Sequence, residues 1–317
     1  MSPGYRAPAW LTGAHAQTLW PLLRKDPLPD YRRQRWDTPD GDFIDLDWIA
    51  GPATAPLLVL FHGLEGSSRS HYSRSLMHAA TQRGWRGVVV HFRGCSGEPN
   101  RLARAYHSGD SAEIDWILRR LQQPGPVFAA GISLGGNALL KWLGEQGSAA
   151  GKLITAAAAI SAPLDLASSD AALTRGFNRL YARHFLNSLI PKALAKLDRF
   201  PGLYRAERVR VARSLHAFDD VVTAPLHGFR DVADYYARSS ARQFLAGIEV
   251  STLLLNALND PFLPAAALPE PGQLPASVVL ETPGEGGHVG FVSGAFPGSF
   301  AWLPWRILEF FDQQIDA

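Results

Sequence analysis

Short, unbroken apolar runs alternate along most of this chain with segments whose apolar residues recur every three or four positions. The runs LLVLF at 57–61, GVVVHF at 87–92, PVFAAG at 126–131 and LITAAAAI at 153–160 lack a polar face, the pattern of strands covered on both sides. Between them, 71–83, 110–121 and 133–146 carry helical spacing. Strand and helix in alternation predict a mostly parallel sheet flanked by helices. Ahead of the first run, RWDTPDGDFIDLDWI at 35–49 places Pro39, Asp40 and Gly41 between two alternating segments, which predicts a hairpin at the antiparallel edge of the sheet. The strand pattern returns at 249–257 and 276–281, and a last helix is expected at 301–315. From 164 to 230 the alternation stops. There the chain is helix-prone, rich in arginine and broken by Pro191, Pro201 and Pro225, so a helical insertion is expected.

Length and composition narrow this picture. A chain of 317 residues is long for one average domain but ordinary for an α/β core with an insertion, so residues 1–317 are read as one domain. With 46% hydrophobic and 19% charged residues there is enough apolar surface for a large core. The net charge of +2 and the lack of any Lys/Arg block argue against a nucleic-acid partner. Cys95 is the single cysteine, so no internal disulfide forms and the fold needs no oxidising compartment, which fits a cytoplasmic location. Residues 1–25 have no continuous apolar stretch of signal-peptide type, and no later run reaches a membrane-spanning length. A soluble protein is expected, with peripheral membrane contact left open.

Candidate chemistry centres on VFAAGISLGGNALLKWL. Here a strand pattern ends at Gly131, and a helical pattern starts just after Ser133. A serine held on so sharp a turn needs small residues two before and two after it, which Gly131 and Gly135 supply. The bare Gly-x-Ser-x-Gly pattern also arises by chance in glycine-rich βα turns; the flanking strand and helix favour the nucleophile reading. Ser96, also after a strand, has its glycines at the wrong offsets, and Cys95 beside it is read as a small packed residue.

A serine hydroxyl needs a general base, and the base needs a group to orient it. In sheets of this kind the order along the chain is serine, acid, histidine. Of ten histidines, His288 lies in the glycine-rich loop GEGGHVGF after the last strand, where a plain solvent-exposed histidine is the competing reading. Asp260 follows the apolar run LLLNALN directly, and Pro261 and Pro264 end the strand; it would equally serve as a helix N-cap. The oxyanion hole calls for two backbone N–H groups. Leu134, just after the serine, gives one by position, and Leu64 in His62-Gly63-Leu64, just after LLVLF, is chosen for the other. His62 itself is read as a brace for that loop.

With these elements in place, the sequence resembles the YheT-like branch of the α/β hydrolases, related to the eukaryotic ABHD1/ABHD3 group and to yeast medium-chain ester synthases. The resemblance runs over nearly the whole chain. It is carried by Pro8-Ala9-Trp10-Leu11 with His15, Gln17, Thr18 and Leu19, by Pro39 to Phe43, His62 to Gly66, Phe92 to Glu98 and Gly131 to Asn137, and by Phe218-Asp219 with Asp220 and Asn259 to Phe262. It implies an α/β-hydrolase fold with a helical lid at 164–230, Ser133, Asp260 and His288 as the charge-relay residues, and hydrolysis of carboxylic esters, some eukaryotic members acting on phospholipids or passing acyl groups to alcohols. Two departures stand out. Relatives often have Asp-Asp-Pro-Phe where this chain has Asn259-Asp260-Pro261-Phe262, and Gly-His-Gln-Thr-Leu where it has Ala14 before and Ala16 after His15.

The expected activity is cleavage of a small-molecule or lipid ester through an acyl-enzyme, with no metal or organic cofactor. Acyl transfer to an alcohol and a non-catalytic binding role on the same scaffold stay as alternatives. Between 170 and 213 ten basic residues stand against three acids, and Phe177, Leu180, Tyr181, Phe185, Leu186, Leu189 and Ile190 follow a largely helical spacing. This suggests either a lid that meets an anionic or interfacial surface or a solvated insertion packed on the core.

Overall fold

The computed structural model describes residues 4–24, 26–121 and 123–315. One eight-stranded sheet is built from β1 Arg32–Asp37, β2 Phe43–Ile49, β3 Leu57–Phe61, β4 Arg86–His91, β5 Val127–Ile132, β6 Ala156–Ile160, β7 Thr252–Leu255 and β8 Val278–Glu281, in the order β1-β2-β4-β3-β5-β6-β7-β8. β1 pairs antiparallel with β2 (Trp36 opposite Ile44), and β2 antiparallel with β4. All later pairings are parallel. The hairpin therefore forms the antiparallel edge, turning where Gly41 sits at φ 86°.

The helices in chain order are α1 Ala14–Leu23, α2 His71–Gln82, α3 Ser111–Arg120, α4 Leu134–Gln146, α5 Leu166–Leu173, α6 Asn178–Arg199, α7 Ala206–Arg210, α8 Leu215–Phe218, α9 Ala224–Leu226, α10 Val232–Ser239 and α11 Trp302–Asp312. Successive strand side chains point to opposite faces, so LLVLF divides itself. Leu57, Val59 and Phe61 pack with Ile114, Ile117, Ala138 and Trp142 from α3 and α4. Leu58 and Leu60 pack with Leu76, Met77, Ile307 and Phe311 from α2 and α11. Each such fully buried side chain contributes roughly 1.5–3 kcal/mol, which is why these strands need no polar face.

Parallel strands deliver their following loops to one end of the sheet, where ligand sites form in such folds. The turn after β5, the loop after β7 and the loop after β8 all emerge there. Between β6 and β7 the chain forms α5 to α10, with an apolar cluster of its own: Leu186, Ala193, Val209, Phe218, Val221 and Val222. Three of its basic residues face the core. Lys192 pairs with Glu65, Lys196 donates to the carbonyls of Ala103 and Arg104, and Arg199 donates to those of Asn100 and Arg101.

Beyond shorter strands at Thr252–Leu255 and Val278–Glu281 and an insertion that continues past 230 through Val232–Ser239, the elements differ from the sequence pattern in three places. The run at 153–160 becomes strand only from Ala156, since Leu153 and Ile154 fill the core from a loop that follows a 3-10 turn. The last helix covers Trp302–Asp312, with Gln314 and Ile315 held by turn hydrogen bonds. Helix α1 was not anticipated, because the residues it buries are Gln17, Thr18 and Pro21 rather than an apolar stripe. No helix among the described residues is long and apolar enough to cross a membrane.

Candidate active site

Strand β5 runs into α4 through Ser133, whose backbone sits at φ 52°, ψ −117°. A non-glycine residue held there is strained, and the surroundings impose it. The Ser133 N–H donates to the Ile160 carbonyl while its C=O receives the Asn137 N–H. A Cβ on Gly131 would lie 2.6 Å from the Gly135 oxygen, and one on Gly135 would run into the Phe61 and His62 carbonyl oxygens. Both glycines are therefore demanded by close backbone approach, and the serine is left projecting from the tip of the turn.

The structure brings the three residues picked from sequence into one line. His288 Nε2 lies 3.0 Å from Ser133 Oγ, and His288 Nδ1 lies 2.8 Å from Asp260 Oδ2. Asp260 is buried, and its other oxygen accepts the Phe262 N–H at 2.8 Å, a turn within the loop rather than a helix cap. The Phe262 ring stacks on the imidazole with centroids 4.2 Å apart. With its Nδ1 proton directed at the carboxylate, the imidazole presents a lone pair at Nε2 to the serine hydroxyl. Such an array can take a proton from Ser133 and hold the resulting imidazolium against a carboxylate.

The loop after β3 lies against the serine, since a Cβ on Gly63 would come within 3.2 Å of Ser133 Cβ. Its N–H groups are divided among partners. Gly63 donates to the Tyr72 hydroxyl and Glu65 to the Tyr106 hydroxyl, which leaves the Leu64 amide between them. Leu134 opens α4, where an N–H has no intrahelical acceptor. His62 is fully buried; its Nδ1 faces the Gly63 carbonyl, its Nε2 accepts the Phe92 N–H, and burial pushes its pKa down to about 3. It is thus a neutral brace between the ends of β3 and β4. Burial also pushes the Cys95 thiol up to about 12, far from a thiolate.

A family model described as alpha/beta hydrolase fold matches residues 56–295, which contain all three residues of the line. The chain is a member of the α/β-hydrolase family. Over 96% of its length it is 41% identical to Escherichia coli YheT, named as a candidate esterase, covering 92% of that protein. It is 29% identical to mouse phospholipase ABHD3 over 98% of its own length and 79% of the relative's. Among solved structures, an esterase of Pyrococcus furiosus superposes with a TM-score of 0.57 at 17% identity, over 90% of this chain and 92% of the other, which speaks to the fold.

In this hydrolase the line opens on a cavity of about 710 Å³ bordered by Leu64, Ser133, Leu134 and His288 and roofed by side chains of α5, α6 and α8. Several charged groups on its wall are engaged by the protein. Arg93 binds Asp40, Asp42 and Glu113, and Lys192 binds Glu65. Asp219, on a single π-helical turn, receives the hydroxyls of Thr223 and Tyr236, and burial pushes its pKa up to about 7.

Three residues that hold the histidine loop escaped the sequence reading. The Thr18 hydroxyl accepts the His288 backbone N–H at 2.9 Å and donates to the Ala14 carbonyl at 2.7 Å. Gln17, completely buried, accepts the Val292 N–H through Oε1. Asn259 Oδ1 accepts the Gly287 N–H at 3.0 Å. Gly287, at φ 61°, leaves no room for a Cβ beside Thr18 Oγ1. The quoted segment around His15, Gln17 and Thr18 was the available signal, but its partner lay 270 residues away. Thr18→Val should leave the His288 backbone N–H unpaired and let the base drift. A displacement of about 1 Å costs on the order of a hundredfold, so kcat is expected to fall by ten- to a hundredfold with KM little changed, and Thr18→Ser should restore it. Wild-type kcat in Thr18→Val would remove the positioning role.

Proposed function

We propose that this hydrolase cleaves carboxylic esters of apolar acyl chains, with Ser133 as nucleophile, His288 as general base and Asp260 as the residue that orients the base. The observation that carries the reading is the continuous Asp260, His288, Ser133 line of 2.8 and 3.0 Å contacts at the mouth of a largely apolar cavity. Ser133 Oγ attacks the ester carbonyl as its proton moves to His288 Nε2, and the amides of Leu64 and Leu134 receive the developing oxyanion. Collapse expels the alkoxide, which takes the proton from His288. Water, deprotonated by the same nitrogen, then releases the acid and regenerates the serine. No step calls for a metal or an organic cofactor. The esterase and phospholipase names of the relatives agree with this reaction class.

Segment 164–230 serves as the lid, because α5, α6 and α8 close the cavity over Ser133 while Lys192, Lys196 and Arg199 fasten α6 to the loops beneath it. Since the lining is largely apolar and Arg93 and Lys192 on it are already paired, a neutral hydrocarbon chain is the occupant it suits. Burial of a methylene is worth about 0.8 kcal/mol. A series of p-nitrophenyl esters is therefore expected to gain roughly fourfold in kcat/KM per added methylene until the cavity is filled. The reading itself is tested by a fluorophosphonate probe: a single adduct on Ser133 in the folded chain is expected. A folded chain that takes no label and hydrolyses no ester in the series would leave only the binding-module alternative.

A further inference from the structure

An exposed apolar surface adjoins the catalytic line. Leu22, Leu23, Phe177, Leu180 and Phe296 are each between 47% and 79% exposed, and they come from three segments that touch one another. Helix α1 is the junction. His15 near its start meets Phe177 with ring centroids 4.6 Å apart, and Trp20 further along meets Trp10 at 5.2 Å and Phe296 at 6.1 Å. Leu19 and Leu22 stand four and seven residues after His15, on the same stripe of the helix. Single exposed apolar side chains are ordinary, but a connected group of this kind marks an interaction surface.

Its charge identifies the partner. Residues 4–24, 174–188 and 288–301, which build the surface, contain no Asp or Glu, yet they carry Arg6, Arg24, Arg175, Arg179 and Arg183, all exposed. A second copy docking face to face through a two-fold axis would set these arginines against one another. Apolar tips flanked by tryptophan and arginine are the pattern of a face resting in a lipid headgroup layer, with Leu and Phe reaching the acyl boundary and Arg meeting the phosphates. The surface is also close to the chemistry. Tyr181, beside His15, packs on Phe262 at 4.7 Å, and Phe262 stacks on His288.

We propose that this surface docks the protein peripherally on an anionic lipid bilayer, presenting the cavity mouth to esters held in that layer. The second half of the statement rests on the ester-hydrolase reading; the docking does not.

The test uses the full chain carrying Ser133→Ala, so that no lipid is consumed, cosedimented with phosphatidylcholine vesicles with and without phosphatidylglycerol at low and high salt. Basic residues at a membrane surface act additively, so three arginines give roughly a hundredfold preference for the anionic vesicles. Salt should abolish the preference, and the triple change Arg175→Gln, Arg179→Gln, Arg183→Gln should remove the roughly hundredfold that those three supply, leaving only what Arg6 and Arg24 add. Leu22→Ser, Leu23→Ser and Leu180→Ser together should weaken binding at least about tenfold with the arginines intact. In chains that retain Ser133, the same substitutions should leave hydrolysis of a water-dissolved short ester unchanged, which separates failure of docking from failure of the catalytic reading. Equal partition onto both vesicle types, or onto neither, overturns the proposal. So does a dimer that the leucine substitutions split, because the face would then belong to a second copy.

Discussion

Ser133→Ala is expected to abolish ester hydrolysis and fluorophosphonate labelling while the protein stays folded. Alanine keeps the Cβ, so the strain at φ 52° is unchanged, as are the backbone bonds to Ile160 and Asn137. What is lost is one oxygen and its 3.0 Å contact with His288 Nε2. Without the nucleophile the remaining oxyanion donors and binding contacts leave only residual catalysis, and losses of this kind run on the order of 10⁴ to 10⁶ in kcat. Ser96→Ala is the matched control, since the Ser96 hydroxyl bonds to Asp45 at the far side of the hairpin and should affect rate little. The measurement is kcat on a p-nitrophenyl ester beside circular dichroism of the purified variants. A Ser133→Ala chain that keeps more than roughly a tenth of the rate would mean another group attacks the ester.

How far these residues could be read in advance depended on where their partners lie. The strands were legible because a strand covered on both faces is a continuous apolar run, and every such run sits in the sheet. Its start was less legible at 153–160, since Leu153 and Ile154 are as apolar as the strand but are buried from a loop. Ser133 was legible because its requirements are local: two glycines, a strand before and a helix after. His288 and Asp260 followed from position after their strands. Helix α1 and its hold on the histidine loop were not, because Gln17 and Thr18 are buried through hydrogen bonds to Val292 and His288 rather than through apolar contact, and hydrophobic periodicity is blind to that. Arginine-rich composition in 164–230 was compatible both with a lid that meets an interface and with a solvated insertion packed on the core. The structure divides the set: Lys192, Lys196 and Arg199 bond to Glu65 and to carbonyls of the loops beneath them, while Arg175, Arg179 and Arg183 are exposed.

Asp260→Asn should lower kcat by about 10³ to 10⁴ while sparing the fold. The carboxylate does two things at once: Oδ1 accepts the Phe262 N–H and Oδ2 faces His288 Nδ1 at 2.8 Å. An asparagine can keep its oxygen on Phe262, which preserves the loop, but its NH₂ then points at Nδ1. Two donors cannot face each other, so the imidazole must carry its proton on Nε2, the nitrogen that has to accept the Ser133 proton. The charge that would hold the imidazolium is lost as well. Asp219 supplies the comparison, being a buried acid on the cavity wall and part of the Phe218-Asp219-Asp220 segment singled out in the sequence. Its oxygens are occupied by the hydroxyls of Thr223 and Tyr236, and with its pKa pushed up to about 7 it is largely protonated in mildly acidic solution, so an amide replaces it there with little change of charge. Asp219→Asn is therefore expected to leave kcat near wild type when measured below neutral pH, alongside Asp260→Asn on the same ester. The reverse outcome, a collapse with Asp219→Asn and near-normal turnover with Asp260→Asn, would place the orienting acid in the insertion and detach Asp260 from the chemistry.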